Sequence, residues 1–214
     1  MNLYKAIIIE TMKGKSLGRI LFNYELKFLK ANGKILDLGS GKVKPSYYRF
    51  INIAEDSEII TVNISTKMKL HLLTDLEKTL HFKGNNYIFI FNLLEHFNYG
   101  NILNESYRVL KQNGKLYRVV PFLASVHGDP HDYSRYTEAA LSRMLKEANF
   151  KRNIEIKILG SGPFTAAYSQ IQSYIPKILR VPFIFLCIFI DRFIKDKCFH
   201  LGYLLFCEKW EAKA

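Results

Sequence analysis

The sequence predicts an α/β protein on a doubly wound, seven-stranded, mostly parallel sheet with an antiparallel last strand. Three observations carry this. Apolar runs of strand length alternate with segments of helical periodicity along most of the chain. The run "YIFIF" at 87–91 is continuously apolar, as a central strand covered on both faces must be. The run "KILDL" at 34–38 passes directly into Gly39-Ser40-Gly41, a turn of the kind found where a parallel strand ends.

The elements follow in order. Residues 14–31 are read as an N-terminal helix, its stripe made by Leu17, Ile20, Leu21, Tyr24 and Phe28 and its stop by Asn32-Gly33. Strands are expected at 34–38, at 57–65, at 69–75 and over "YIFIF". A helix through "NESYRVLK" uses Leu103, Tyr107 and Leu110, ends at Asn113-Gly114, and leads to a strand at 115–122. Thr137 is a natural N-cap for the helix of 137–150, whose stripe is Leu141, Met144, Leu145 and Ala148. Strands at 154–159 and 202–210 close the chain, the latter antiparallel if it hairpins back beside its neighbour. Between them, about 160–200 reads as a hydrophobic helical insertion. No repeat or linker divides the chain, so 1–214 is taken as a single domain.

The 31 Lys and Arg against 19 Asp and Glu give a net charge of +12, which suits an anionic partner or reflects only a lysine-rich composition. Three separated cysteines, Cys187, Cys198 and Cys207, make neither a disulfide framework nor a zinc spacing, and fit reduced thiols in the cytoplasm. No metal site is expected. The N-terminus has no signal-peptide pattern. No basic stripe interleaved with aromatics speaks for nucleic acid.

The first strand's end is the usual ligand crevice of a doubly wound sheet. Gly39 and Gly41 let backbone N–H groups approach a ligand, and Asp37 can hold an ammonium or cap the turn. Lys44 and Pro45 fall where a dinucleotide fingerprint needs its third glycine, so pyrophosphate cradling is poorly supported.

Four segments, in order, resemble class I S-adenosylmethionine-dependent methyltransferases of the type 11 group, whose fold is Rossmann-like. "LDLGSG" is similar to motif I, "DLEKTLHF" to the segment whose Asp faces the adenine, "YIFIFNLLEHF" to the fourth strand, and "NESYRVLKQNGKLYRVVP" to the lead into the fifth. The resemblance implies S-adenosyl-L-methionine as cofactor. It assigns Asp37, Gly39, Ser40 and Gly41 to the methionine part, and Asp75 with Leu76 to adenine. Asn63 falls at the ribose diol, where the family carries a carboxylate; Asn92 and Leu93 fall at the fourth strand's end. Lys42 stands where a third glycine is common. Asp75 as a helix N-cap and Glu95-His96 as a surface helix start remain alternatives, and Glu105 with Arg108 reads as an i,i+3 ion pair.

The loop at 121–137 is dense in titratable groups and overhangs the crevice. It is similar to the H-G-x-P-H-D-Y-x-R-x-T pattern of the resembling sequences. His131, then His127, is the candidate base, with Asp132 orienting the imidazole and Tyr133, Arg135 and His96 on the substrate. The alternative is that His131, Asp132 and Arg135 knit the loop together. The apolar stretch Val181 to Ile190, about ten residues where a bilayer needs roughly 20, is flanked by Lys177, Arg180, Arg192, Lys195 and Lys197. It reads as a peripheral attachment to an anionic inner-membrane face, or as an internal or homodimer helix. The reading is thus a methyltransferase, O-directed, acting on a glycan, lipid-linked sugar or small molecule near the membrane. Its alternatives are an RNA or protein methyltransferase and a non-catalytic scaffold.

Overall fold

The computed structural model describes residues 2–41, 43–63, 72–73, 78–97, 99–126, 131–160, 162–195 and 198–210. Besides a two-stranded pair at Lys30–Ala31 and Asn52–Ile53, its described strands are β1 (Lys34–Leu38), β2 (Glu58–Asn63), β3 (Leu72–Leu73), β4 (Asn85–Phe91), β5 (Leu110–Pro121), β6 (Arg152–Leu159) and β7 (Gly202–Glu208). They form one sheet in the order β3-β2-β1-β4-β5-β7-β6. The pairs from β3 through β5 are parallel, and β7 runs antiparallel to both β5 and β6. Seven strands with an antiparallel last one is the expected architecture. Strand order reverses between β1 and β4, so the switch point lies where β1 ends.

Side-chain alternation assigns each face. Leu36, Leu38, Ile88, Ile90, Leu116 and Val120 point toward α3 (Tyr99–Val109) and α4 (Glu138–Glu147). Ile35, Phe89, Phe91, Tyr117 and Val119 point the other way, toward Phe22 and Leu26 of α2 (Leu17–Leu26). The helix α4 buries Leu141, Met144, Leu145 and Ala148, and Thr137 accepts from the Ala140 N–H at 3.3 Å, both as its pattern predicts. A third cluster joins α2 to α1 (Leu3–Met12), α5 (Pro163–Ile171) and α6 (Lys177–Asp191) through Ile7, Ile20, Tyr168, Ile184 and Cys187.

Two boundaries differ from expectation. The N-terminal segment holds two helices, α1 and α2, and α2 stops at Leu26, leaving Phe28 60% exposed. Beyond it Lys30–Ala31 pairs in parallel with Asn52–Ile53, and that backbone pairing ends the helix before Asn32-Gly33. The helix α3 ends at Val109 instead of Asn113-Gly114, and Leu110 already belongs to β5. Asn85 donates to the Val109 carbonyl at 3.1 Å, and Asn113 takes a positive φ of 61° beside Gly114, whose missing Cβ would press on the Lys111 carbonyl. The insertion is two helices, with a carboxylate from the second capping the first. Asp191 accepts from the Phe164 and Thr165 N–H groups at 3.0 and 2.9 Å.

Candidate active site

Asp37 lies on the same face of β1 as Ile35 and is fully buried. The hydroxyls of Tyr47 and Tyr48 each donate to its Oδ2 at 2.6 Å, while Oδ1 is buried with no partner among the described residues. Burial pushes the carboxyl up to about 7, against the two phenolic hydrogen bonds that favour the anion. Three residues on, the Ser40 hydroxyl is also buried and has no partner among the described residues. An acceptor and a hydroxyl left open at one turn are what a ligand bearing an ammonium and a carboxylate would satisfy.

The turn is held by close approach. Gly39 has φ 75° and donates its N–H to the Val62 carbonyl at 2.8 Å, and Gly41 has φ 68°. A Cβ on Gly39 would stand 3.1 Å from Cδ2 and Cγ of Leu93, with Cδ1 closer still. The glycine turn after β1 and the residue pair after β4 therefore meet. Asn92, also at the β4 end, takes a positive φ of 49° and is exposed. Asn63 ends β2 in register with Leu73 of β3. Its side chain lies outside the described residues, as do Asp75, Leu76, Lys42 and His127 in their entirety.

The loop after β5 is tied to the β4 end. The Tyr133 N–H donates to the Glu95 carbonyl at 2.7 Å, and His96 Nδ1 meets the His131 carbonyl. Among the described residues the His131 imidazole makes no hydrogen bond to Asp132. The Asp132 carboxylate is gripped by both terminal nitrogens of Arg135, the Nη2–Oδ2 bond being 2.6 Å, because a guanidinium fork at i,i+3 fits a carboxylate better than an adjacent ring does. That pair also occupies Arg135. The His131 ring is exposed, makes no hydrogen bond among the described residues, and lies 5.5 Å from the Tyr133 ring, itself exposed. Glu105 and Arg108 do pair, and together they hold the Leu80 backbone.

Beyond the ends of β4 and β5 opens a cavity of about 470 Å³. Asn92, Val119, Pro121 and Ser125 line one side, and Ser16, Gly18, Arg19 and Phe22 of the α2 end line the other. Sequence reasoning missed Tyr47, Tyr48 and Arg19. The tyrosines follow the glycine turn as "PSYYRF", and that adjacency was the one available signal. Arg118, in β5, was also missed. It is fully buried, its guanidinium makes no hydrogen bond among the described residues, and burial holds it down at about 10. Three groups add attraction there, Cys207 first, then Tyr136 and Glu95.

No protein family profile matches the chain, and no curated protein is similar to it in sequence. Solved structures are similar in fold. A chain of the complex between the Haloferax volcanii Trm112 methyltransferase activator and a methyltransferase superposes with a TM-score of 0.60 at 13% identity, over 98% of this chain and 96% of that one. A SAM-dependent methyltransferase from Archaeoglobus fulgidus gives 0.54 at 16% identity, over 89% and 90%. Phosphoethanolamine N-methyltransferase 2 from Haemonchus contortus, complexed with S-adenosyl-L-methionine, gives 0.55 at 13% identity. That match spans 91% of this chain but 57% of the longer enzyme. The (4+2)-cyclase SpnF is similar too, at 0.57 and 14% identity, over 90% and 80%, so the architecture is also that of a cyclase. The chain has the class I S-adenosylmethionine-dependent methyltransferase fold.

Proposed function

We propose that the chain is an S-adenosyl-L-methionine-dependent methyltransferase of the type 11 group, transferring the methyl to an oxygen of a glycan, lipid-linked sugar or other small acceptor. One observation carries the reading: the glycine turn after β1 and the Asn92-Leu93 pair after β4 meet at the switch point of the sheet, beside a buried carboxylate with an open oxygen. Asp37 and Ser40 would hold the ammonium and carboxylate of the donor, and Asn63, Asp75 and Leu76 its nucleoside. The donor supplies an electrophilic methyl. The chain supplies alignment of the acceptor and a base for its proton, His131 or His127.

The membrane context draws on α6. Ile178, Leu179, Leu186 and Phe189 stand exposed along it, with Phe193 just beyond, and Lys177, Arg180, Arg192 and Lys195 flank the apolar stretch. Among the described residues no helix is long and apolar enough to cross a membrane, so the attachment proposed is peripheral, at an anionic cytoplasmic face.

Tritiated methyl donor offered with cell-envelope extract, RNA and protein fractions tests the acceptor class. Label in the envelope fraction, lost in His131→Ala, supports the reading. Label confined to RNA or protein removes it, and full turnover by both His131→Ala and His127→Ala removes the base. Flotation with anionic liposomes, lost in Leu186→Asp/Phe189→Asp, tests the attachment; a wild-type chain left at the bottom of the gradient excludes it.

A further inference from the structure

Among the described residues lining the 470 Å³ cavity, Arg19 is the one ionised side chain, and no carboxylate faces it. Its guanidinium lies over the Phe22 ring at 5.3 Å and makes no hydrogen bond or ion pair among the described residues. It is half-buried, and the loss of water works against its charge. A cation kept in that position without a counter-charge is one that an incoming anion relieves.

The neighbouring residue points the same way. At the first turn of α2 the Ser16 hydroxyl accepts from the Arg19 N–H at 3.4 Å, and Gln172 accepts from the Leu17 N–H at 2.8 Å. The Gly18 N–H between them has no partner among the described residues. Nothing inside the protein asks for glycine there: its φ is not positive, and a Cβ would meet nothing within 4 Å. Glycine weakens a helix relative to alanine, so its use on a cavity wall leaves room for a ligand against the backbone. The helix start adds its positive dipole end to the same spot.

We propose that this cavity is an anion subsite, in which the Arg19 guanidinium and the Gly18 N–H receive a phosphate or carboxylate borne by the methyl acceptor. The acceptor role rests on the methyltransferase reading; anion binding does not. Asn92 and Pro121 put the opposite wall at the ends of β4 and β5, beside the glycine turn, so an acceptor anchored by its anion at α2 reaches toward the donor pocket.

The test follows the arginine Nε–Hε resonances of the full chain while inorganic phosphate or acetate replaces chloride at constant ionic strength. The Arg19 resonance should shift and saturate. Phosphate alone saturating it assigns a phosphorylated acceptor, and acetate alone a carboxylate. Thermal stabilisation by phosphate should weaken at least about tenfold in concentration dependence in Arg19→Gln, recover in part in Arg19→Lys, and persist in the surface control Lys146→Gln. An Arg19 resonance that follows neither anion overturns the proposal, as does equal stabilisation of Arg19→Gln. Calorimetry with S-adenosylhomocysteine separates the two readings. Nucleoside binding retained in Arg19→Gln while phosphate is lost supports an acceptor subsite. Phosphate binding at Arg19 without nucleoside binding in the wild type overturns the acceptor role and leaves an anion site.

Discussion

Gly39 shows how much one absent methyl group can position. Its φ of 75° is one that side-chain-bearing residues rarely adopt, and Leu93 already fills the space of a Cβ. Gly39→Ala is expected to destabilise the protein by roughly 2–4 kcal/mol, read by urea unfolding, from backbone strain and overpacking together. Trimming Leu93 to Ala in the same chain relieves the overpacking only, so partial rescue is expected. No loss in Gly39→Ala would mean that the two strand ends do not meet as described. Asp37 makes a prediction of opposite character. Its folded carboxyl titrates at about 7 against an ordinary value of 3.8. The unfolded chain thus releases this proton first as pH rises. Its contribution to stability is complete below about 4, is lost as pH climbs to about 7, and is flat above. Chemical denaturation of Asp37→Asn should lack this downward limb, gaining on the wild type by on the order of a few kcal/mol near pH 8 and little near pH 4. Parallel profiles for the two proteins would contradict the buried, unfilled carboxylate.

Among the elements, α5 has the least conventional support. It opens at Gly162, with φ 132°, followed by Pro163, and it has no side-chain cap of its own. Asp191 at the end of α6 supplies the missing acceptor, and Gly162 is bare because the same carboxylate occupies the place of its Cβ. Asp191→Ala should cost roughly 2 kcal/mol in urea unfolding and loosen α5 in hydrogen exchange; an unchanged midpoint would show that the cap contributes nothing. Helical and strand periodicity made most elements legible, because each depends on residues close in sequence. The stripe of α4 and the run of β4 were read residue by residue. The missed boundaries share one cause. The end of α2 is decided by Lys30–Ala31 pairing with Asn52–Ile53, and the end of α3 by Asn85, both contacts distant in sequence.

For the whole molecule, alternating strands and helices made a doubly wound sheet with an antiparallel last strand legible, whereas the strand order is set by contacts distant in sequence. The site was legible in part. The glycine turn announced itself through local composition, whereas the tyrosine pair on Asp37 and the Arg19 wall exist only once the sheet and α2 are assembled. Asp132 was visible as a charged residue beside a histidine, but its choice of Arg135 depends on the path of the loop. The central claim is that the ends of β1 and β4 enclose a pocket for a nucleoside sulfonium donor or its product. Titration calorimetry of the wild-type chain with S-adenosylhomocysteine, at pH 6 in two buffers of different ionisation heat, tests it most directly. An ammonium meeting Asp37 should lower that carboxyl from about 7, so one molecule should bind per chain with release of a proton, and binding should tighten toward pH 8. A folded chain that takes up no S-adenosylhomocysteine at either pH would contradict the account.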